Sequence, residues 1–149
     1  MGSTYQFVFS EVRDPSANGA IIQLSEVKLY GRYFMPVDVV TASNPGGDTP
    51  NTNELPSNLI DGSYYTKWLD QSMVNNGVTT STLVLQLEEP AVLTKYDLFT
   101  AKDVDSGKWD PVSWTFGILR DNGDYEILSS RTGFDAPLAR TTSSGAVAC

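Results

Sequence analysis

Residues 110 to 130, "DPVSWTFGILRDNGDYEILSS", decide the fold class. In the first half of this stretch every second residue is apolar: Val112, Trp114, Phe116 and Ile118. Alternation with period two is typical of a half-buried β-strand. The pair Asn122-Gly123 follows, which is a strong hairpin signal because both residues tolerate positive φ. The stretch therefore predicts a strand over Trp114 to Arg120, a tight turn, and a second strand over Tyr125 to Leu128.

The rest of the chain repeats this pattern. Apolar residues alternate again in two further segments: Tyr5, Phe7 and Phe9, then Leu83, Leu85 and Leu87. Turn-forming residues fill "DPSANG" (14–19) and "SNPGGDTPNTNELP" (43–56), and no capped 3.6-residue apolar pattern indicates a long helix. We predict an all-β fold, an antiparallel β-sandwich or jelly roll. The long irregular segment over residues 42 to 56 is of the kind that is often functional.

The chain length suits one domain. With 149 residues it can bury a sizeable core without disulfides or metals, and we place a single domain at residues 1–142. The last residues, 143–149, are expected to form a flexible C-terminal tail.

Composition removes several function classes. The sequence has no histidine, and its one cysteine is Cys149, so an intramolecular disulfide, a Cys/His zinc cage and a Ser-His-Asp triad are excluded. A net charge of −8 disfavours nucleic acid and anionic membranes as partners. A glycosidase using two carboxylates among Asp103, Asp105 and Asp110 stays open as an enzymatic alternative, although acids in a polar loop are usually just solvated.

One strand changes phase within itself. Its apolar positions are Ile22 and Leu24, and then Val27 and Leu29, which strict alternation forbids. The slip at Ser25-Glu26 predicts a bulge or a switch between sheets, which would turn a carbonyl and a carboxylate out of the regular ladder. Such oxygens suit a hard cation.

Three motifs resemble a known family. They are "PSNLIDGSYYTKW" (56–68), "LVLQLEEPAVLTKYDLFTA" (83–101) and the hairpin quoted above. Together they resemble the discoidin or coagulation-factor type C domains, within the galactose-binding-like β-sandwich group that includes many carbohydrate-binding modules. Residues 5–31 are similar to the segment that usually closes the domain. The strand order therefore looks circularly permuted relative to the common form, or the chain resembles a subgroup that starts with this strand pair.

The resemblance implies a structural calcium site. Asn58 and Ser25 would contribute backbone carbonyls, Asp61 and Glu26 carboxylates, Ser63 a carbonyl, and Thr66 a carbonyl and a hydroxyl: six residues, Ser25, Glu26, Asn58, Asp61, Ser63 and Thr66. Calcium favours such a mixture of oxygen ligands. By spacing alone, Asp61-Gly62 is typical of an ordinary turn and Glu26 of a solvated strand residue, and this interpretation stays open.

The resemblance also points to loops at one end of the sandwich as the ligand site. The candidate residues lie in "AKDVDSGKWDPVSW" (101–114): Lys102, Asp103, Asp105, Lys108 and Trp109. An indole face and charged groups are what sugar binding exploits. Many relatives have Arg in place of Trp109, which leaves it open whether this indole stacks on a ligand or packs. Tyr64, Tyr65 and Trp68 are expected to pack over the metal turn as a minor core.

These observations imply a non-catalytic, calcium-binding, lectin-like module for carbohydrate binding or cell adhesion. The expected partner is a carbohydrate or glycoprotein. The expected setting is a monomeric unit of a larger secreted or cell-surface protein. The alternative is a protein-protein docking module of an intracellular or surface assembly, because disulfides and glycosylation signals are both lacking.

Overall fold

The computed structural model describes residues 2–15 and 20–149, so the "DPSANG" turn lies largely outside the described residues. The elements are short strands with little helix. The strands are β1 (Gly2–Val12), β2 (Ile22–Leu24), β3 (Glu26–Tyr30), β4 (Val39–Ser43), β5 (Trp68–Asp70), β6 (Ser81–Ala91), β7 (Lys95–Phe99), β8 (Pro111–Leu119), β9 (Tyr125–Arg131) and β10 (Val147–Ala148). Helix α1 (Ser72–Asn75) has a single turn, and 3-10 turns lie at Arg32–Phe34, Thr52–Glu54 and Pro56–Ile60.

The strands form one large sheet and two small ones. The large sheet has the order β4-β6-β1-β8-β9, and the small sheets have the orders β10-β7-β3 and β2-β5. Every pairing of these strands is antiparallel. The prediction of an all-β, antiparallel sandwich is confirmed. No helix in the described ranges is long and apolar enough to cross a membrane.

Aromatic rings join the large sheet to the sheet that holds β7. Phe7 in β1 meets Tyr96 of β7 edge-on at 5.1 Å between ring centroids, and it also packs on Phe116 of β8 at 4.4 Å. The Trp114 indole Nε1 donates to the Tyr96 hydroxyl at 2.9 Å. All four side chains are buried. Alternate residues of β1 and β8 therefore face the core, as their spacing predicts.

The hairpin forms where Asn122-Gly123 predicts it. Gly123 has φ +93°, and β8 pairs with β9 in the register Leu119 to Tyr125. One bulge follows at Gly117, where a Cβ atom would stand 2.0 Å from the carbonyl oxygen of Glu126. Only glycine allows the two strands to approach so closely at that point.

The phase slip in residues 22 to 29 is a change of sheet. β2 pairs with β5, whereas β3 pairs with β7, and Ser25 lies between them. The backbone N–H of Ser25 donates to the carbonyl of Phe99 at 2.9 Å, which fixes the crossing point. Glu26 is thereby the first residue of a new strand, paired with Phe99.

Residues 143 to 149, for which a flexible tail is predicted, make defined contacts with β7. Val147 pairs with Tyr96 and is buried, and the hydroxyls of Ser143 and Ser144 donate to the Asp97 carboxylate at 2.6 and 3.0 Å. Cys149 is exposed, and its N–H donates to the Thr94 carbonyl at 2.9 Å. The two serines of this segment satisfy the buried Asp97 carboxylate, because serine hydroxyls are donors.

A buried ion pair anchors the loop that precedes β8. The Arg140 guanidinium donates from Nη1 and Nη2 to the two carboxylate oxygens of Asp110, at 3.0 and 2.7 Å. Nη2 of Arg13 lies 3.6 Å from Oδ2 of the same carboxylate. The hydrogen bonds to Asp110 raise the pKa of Arg140 above its usual value. Asp110 is 1% exposed, so this carboxylate is a structural anchor and not a solvated loop acid.

We expect Asp110→Asn to lower the free energy of unfolding by about 3 to 5 kcal/mol, because it leaves two guanidinium groups without a buried counter-charge. Urea denaturation measures the change. Asp121→Asn, in the exposed turn of the hairpin, is the matched control and should stay within about 0.5 kcal/mol of the original protein. Equal effects of the two substitutions would contradict the anchoring role.

Candidate functional site

The strand crossing brings Glu26 to the turn that contains Asp61. The Glu26 side chain is buried, with 4% of the residue exposed, and its Oε2 accepts a hydrogen bond from the Gly62 N–H at 3.1 Å. The 3-10 turn Pro56–Ile60 ends at Asp61, and Gly62 turns the chain with φ +78°. Two segments that are distant in the sequence therefore share one carboxylate-lined corner.

The Asp61 turn concentrates oxygen atoms. Oδ1 of Asp61 accepts from the Ser63 N–H at 2.9 Å, and Oδ2 accepts from the Thr66 hydroxyl at 2.5 Å. The Thr66 hydroxyl also lies 3.4 Å from the Ser63 carbonyl oxygen. Asp61 therefore shapes the turn and at the same time holds a carboxylate beside a carbonyl and a hydroxyl.

The carboxylate of Glu26 has too few hydrogen-bond and charge partners in this corner. Its second oxygen, Oε1, is buried and has no hydrogen-bond partner among the described residues. Burial away from water raises the pKa of Glu26 to about 7 and the neighbouring Asp61 charge adds to the rise, although the Gly62 hydrogen bond and the Lys28 ammonium lower it. An unpaired, buried carboxylate oxygen is costly, so this atom marks a place for a cation or a proton.

The donor set fits a hard cation better than a soft one. No group of three or more His, Cys, Asp or Glu side chains in residues 2–15 and 20–149 is placed so that it could hold a metal ion, so carbonyls and hydroxyls would have to complete the shell. Calcium accepts such mixed oxygen ligands. Two carboxylates, Glu26 and Asp61, would neutralise a divalent ion.

Ser25 and Asn58 flank this corner, and their side chains are engaged elsewhere. The Asn58 amide donates to the carbonyls of Asn53 and Lys67 at 2.6 and 2.8 Å, and the Ser25 hydroxyl lies 3.4 Å from the Phe99 carbonyl. Their backbone carbonyls are the atoms that the sequence analysis assigns to the ion, and that assignment stays a prediction.

Aromatic residues wall the corner on one side only. Tyr64 packs against Phe99 at 4.8 Å, and its hydroxyl accepts from the Lys28 ammonium at 2.7 Å. Trp68 is fully buried. Tyr65 does not join them, because it is 73% exposed. Trp68 packs in the main core against Phe9, at 6.1 Å between ring centroids. The prediction of a three-residue minor core over the turn is therefore wrong for Tyr65 and for Trp68.

Exposed Tyr65 borders an open polar pocket of about 540 Å³. Three segments line it: Asn51 to Glu54, Asn58 with Tyr65 to Lys67, and Lys102 with Asp103. We call it the polar pocket. It lies beside the Asp61 turn, because Thr66 belongs to both.

A buried lysine holds the three segments of the polar pocket together. The Lys67 ammonium contacts the carboxylates of Asp103 at 2.9 Å and Glu54 at 3.2 Å, and it donates to the Gln23 side-chain oxygen at 2.8 Å. Lys67 is 9% exposed. Because one cation ties these segments to each other, their relative positions are fixed before any ligand binds.

The predicted ligand residues divide into two groups. Lys102 and Asp103 line the polar pocket. Asp105, Lys108 and Trp109 do not, and the Lys108 ammonium stands 5.2 Å from the half-buried Trp109 ring. Asn51, Glu54 and Lys67 also line the polar pocket, and the sequence did not predict them as site residues. The only signal for the first two was the unusual length of the segment 42 to 56, and Lys67 gave none.

Comparisons with known proteins find no match: no family model, no curated protein and no solved structure matches the chain. The geometry of the site therefore carries the functional argument.

In calcium-free buffer, the free energy of unfolding should fall by on the order of 3 kcal/mol as the pH rises from 4.5 to about 7. The raised pKa means that the folded chain binds the Glu26 proton more tightly than the unfolded chain does. That contribution is complete at low pH and is lost as Glu26 ionises in the folded state. Urea denaturation at a series of pH values measures it.

Glu26→Gln is the control that isolates this residue, because other carboxylates also titrate in the same window. The glutamine variant should show a flatter pH dependence and should exceed the original protein in stability at pH 8 without calcium. Parallel pH profiles for the two proteins would show that Glu26 is not the titrating group.

Proposed function

We propose that this protein is a non-catalytic binding module in which calcium braces one corner of the sandwich and the adjacent polar pocket takes a carbohydrate. The observation that carries the proposal is the buried, unpartnered Oε1 of Glu26 beside the Asp61 turn. The fold class agrees with a binding module but does not by itself decide the activity.

Calcium would act on structure. Glu26, Asp61, Ser63 and Thr66 supply two carboxylates, a carbonyl and a hydroxyl, and the carbonyls of Ser25 and Asn58 are proposed to complete the shell. Binding would remove the charge penalty of ionised Glu26 and would hold the turn that carries Tyr65. The ion would therefore position one wall of the polar pocket without touching the ligand.

The polar pocket has the groups that a saccharide needs. The exposed Tyr65 ring offers an apolar face for a pyranose, and Asn51, Asn53 and Lys102 offer hydrogen-bond donors and acceptors. The shape is open and polar, which suits a solvated sugar better than a closed apolar cavity would. A glycan or glycoprotein at a cell surface, and so a role in adhesion, is the setting that we propose.

A glycosidase is less well supported than a binding module. Of the three acids considered, Asp110 is committed to Arg140 and Asp103 to Lys67, so only Asp105 is not in an ion pair among the described residues. Two free carboxylates across a cleft, which glycoside hydrolysis requires, are therefore not assembled in this loop.

We expect calcium at a hundred times its dissociation constant to add about 2.7 kcal/mol of stability and to raise the melting temperature by several degrees. Glu26→Gln and Asp61→Asn should lose this response. Both substitutions keep the size of the side chain, and the amide oxygen of the Asp61→Asn variant can still accept from the Ser63 N–H. Thermal melting in calcium and in chelator measures the effect.

Glu89→Gln is the matched control, since it removes one exposed carboxylate far along the chain from the Asp61 turn. It should retain the full calcium response. Identical melting curves in calcium and chelator for the original protein would remove the metal from the proposal.

For the polar pocket, we expect Tyr65→Ala to weaken binding to a glycan-array hit about tenfold, because a stacking face is lost. Lys102→Ala should weaken it as well. Tyr33→Asn, which removes an exposed tyrosine from another loop, should not change affinity. Isothermal titration with the saccharide identified on the array gives the affinities.

Trp109→Ala decides whether the indole contributes. A large loss in this variant with no loss in Tyr65→Ala would move the sugar site to the loop 105 to 109. A glycan array without hits, in calcium-loaded protein, would favour the protein-docking alternative instead.

A further inference from the structure

The loop between β3 and β4 presents apolar side chains to solvent. Tyr33 is 91% exposed, and Phe34 and Met35 are each 63% exposed. Exposed single apolar residues are common on proteins, whereas three large ones in succession are a marker of an interaction site. We call Arg32, Tyr33, Phe34 and Met35 the aromatic knob.

The backbone of the aromatic knob is strained and firmly held. Tyr33 and Phe34 have φ values of 57° and 58°, in the left-handed region that side-chain-bearing residues avoid. The loop is closed by hydrogen bonds from Gly31 N–H to the Met35 carbonyl at 2.8 Å and from the Thr94 hydroxyl to the Gly31 carbonyl at 2.7 Å. Strain that serves no core packing indicates that the displayed side chains have a use.

The aromatic knob carries positive charge in an acidic protein. The Lys95 ammonium lies 4.0 Å from the centroid of the Phe34 ring, in cation–π geometry, and Arg32 is exposed beside it. Tyr, Phe, Met and Arg are also the residue types enriched at protein–protein interfaces.

Directly after the knob, the same surface carries a groove of opposite charge. It has a volume of about 220 Å³ and is lined by two prolines, three exposed acids and two small apolar residues: Pro36, Pro90, Asp38, Glu88, Glu89, Val37 and Ala91. We call it the acidic groove. The Glu88 N–H donates to the Asp38 carbonyl at 3.0 Å, which fixes its two walls relative to each other.

We infer that the aromatic knob of one chain docks into the acidic groove of a second copy of the same chain. The knob of the second copy docks into the groove of the first in the same way, by two-fold symmetry. Arg32 and Lys95 match the three carboxylates in sign, and aromatic rings pack well on proline rings. Because knob and groove are adjacent on one surface, a two-fold axis between the chains can satisfy both contacts.

A second copy fits this surface better than a lipid bilayer does. Arg32 in the knob and Lys95 beside it are cations, yet Asp38, Glu88 and Glu89 stand next to them, so an anionic membrane would repel the same face. A carboxylate-rich, proline-lined groove has no use in membrane insertion. The acidic groove can instead receive a cationic aromatic loop.

The contact is small, so the dimer is expected to be weak, with a dissociation constant in the micromolar range or above. Glu26 and Tyr30 lie at opposite ends of β3, and Pro36 and Asp38 of the acidic groove also line a cleft of about 310 Å³ together with Glu26. The knob and the groove share no residue with the polar pocket, so the inference does not depend on the sugar. Sedimentation in chelator keeps the result separate from calcium binding. A dimer would display two polar pockets and so bind multivalent surfaces by avidity.

Sedimentation velocity of the full chain in reductant, from micromolar to near-millimolar concentration, tests the inference. We expect concentration-dependent dimers in the original protein. Arg32→Glu alone, and Glu88→Lys with Glu89→Lys, should each raise the dissociation constant about tenfold or more by setting like charges face to face. An equimolar mixture of the two variants should regain dimers, because a contact between the two reversed surfaces again pairs opposite charges.

Tyr33→Asn with Phe34→Asn is the second test, since asparagine tolerates left-handed backbone and the variant should fold. It should be monomeric with an unchanged circular dichroism spectrum. A monomeric original protein at every concentration, a dimer that ignores the charge reversals, or a mixture that stays monomeric would overturn the inference. So would a monomer whose Tyr33 and Phe34 mediate co-sedimentation with phosphatidylcholine vesicles, which would assign the knob to lipid.

Discussion

The arrangement depends on one crossing of the chain between two sheets at Ser25. Before it, β2 pairs with β5, and after it β3 pairs with β7. The Ser25 N–H bond to Phe99 fixes the point at which the side-chain phase changes. Had the strand continued without a break, the alternation would have placed Glu26 on the opposite face, away from the Asp61 turn. The candidate metal corner is thus a direct product of strand register.

The sequence was sufficient for the fold class because local patterns and long-range packing agree there. The local signals are the apolar alternation in β1, β6 and β8 and the Asn122-Gly123 turn. The structure forms strands and a hairpin at these positions. The phase slip at Ser25 could be seen in the sequence, but its cause, a change of partner strand, depends on β5 and β7. The contacts of the C-terminal segment could not be predicted for a related reason: its serines satisfy Asp97, which is distant in sequence.

The polar pocket was harder to predict from the sequence than the metal corner. Glu26 follows a break in the strand pattern and Asp61 belongs to a tight turn, and both features are recognisable in the sequence. Lys67 has no such signal, because its role comes from three partners on three separate segments, Gln23, Glu54 and Asp103. Tyr65 and Tyr64 are neighbours with identical chemistry, and only the turn geometry decides that one packs on Phe99 while the other faces solvent.

The placement of the single thiol gives an experimental handle on this molecule. Cys149 is anchored to Thr94, and Thr94 also holds Gly31 at the base of the loop that leads to β4. Partial desolvation raises the pKa of the Cys149 thiol to about 11, so little of it is thiolate near neutral pH and coupling to a maleimide surface is expected to be slow. A tether at that sulfur would attach every immobilised molecule through the same point, beside the Tyr30 end of β3 and away from the Asp61 corner. Binding measured on such a sparsely loaded surface would report single sites, free of any contribution from paired chains.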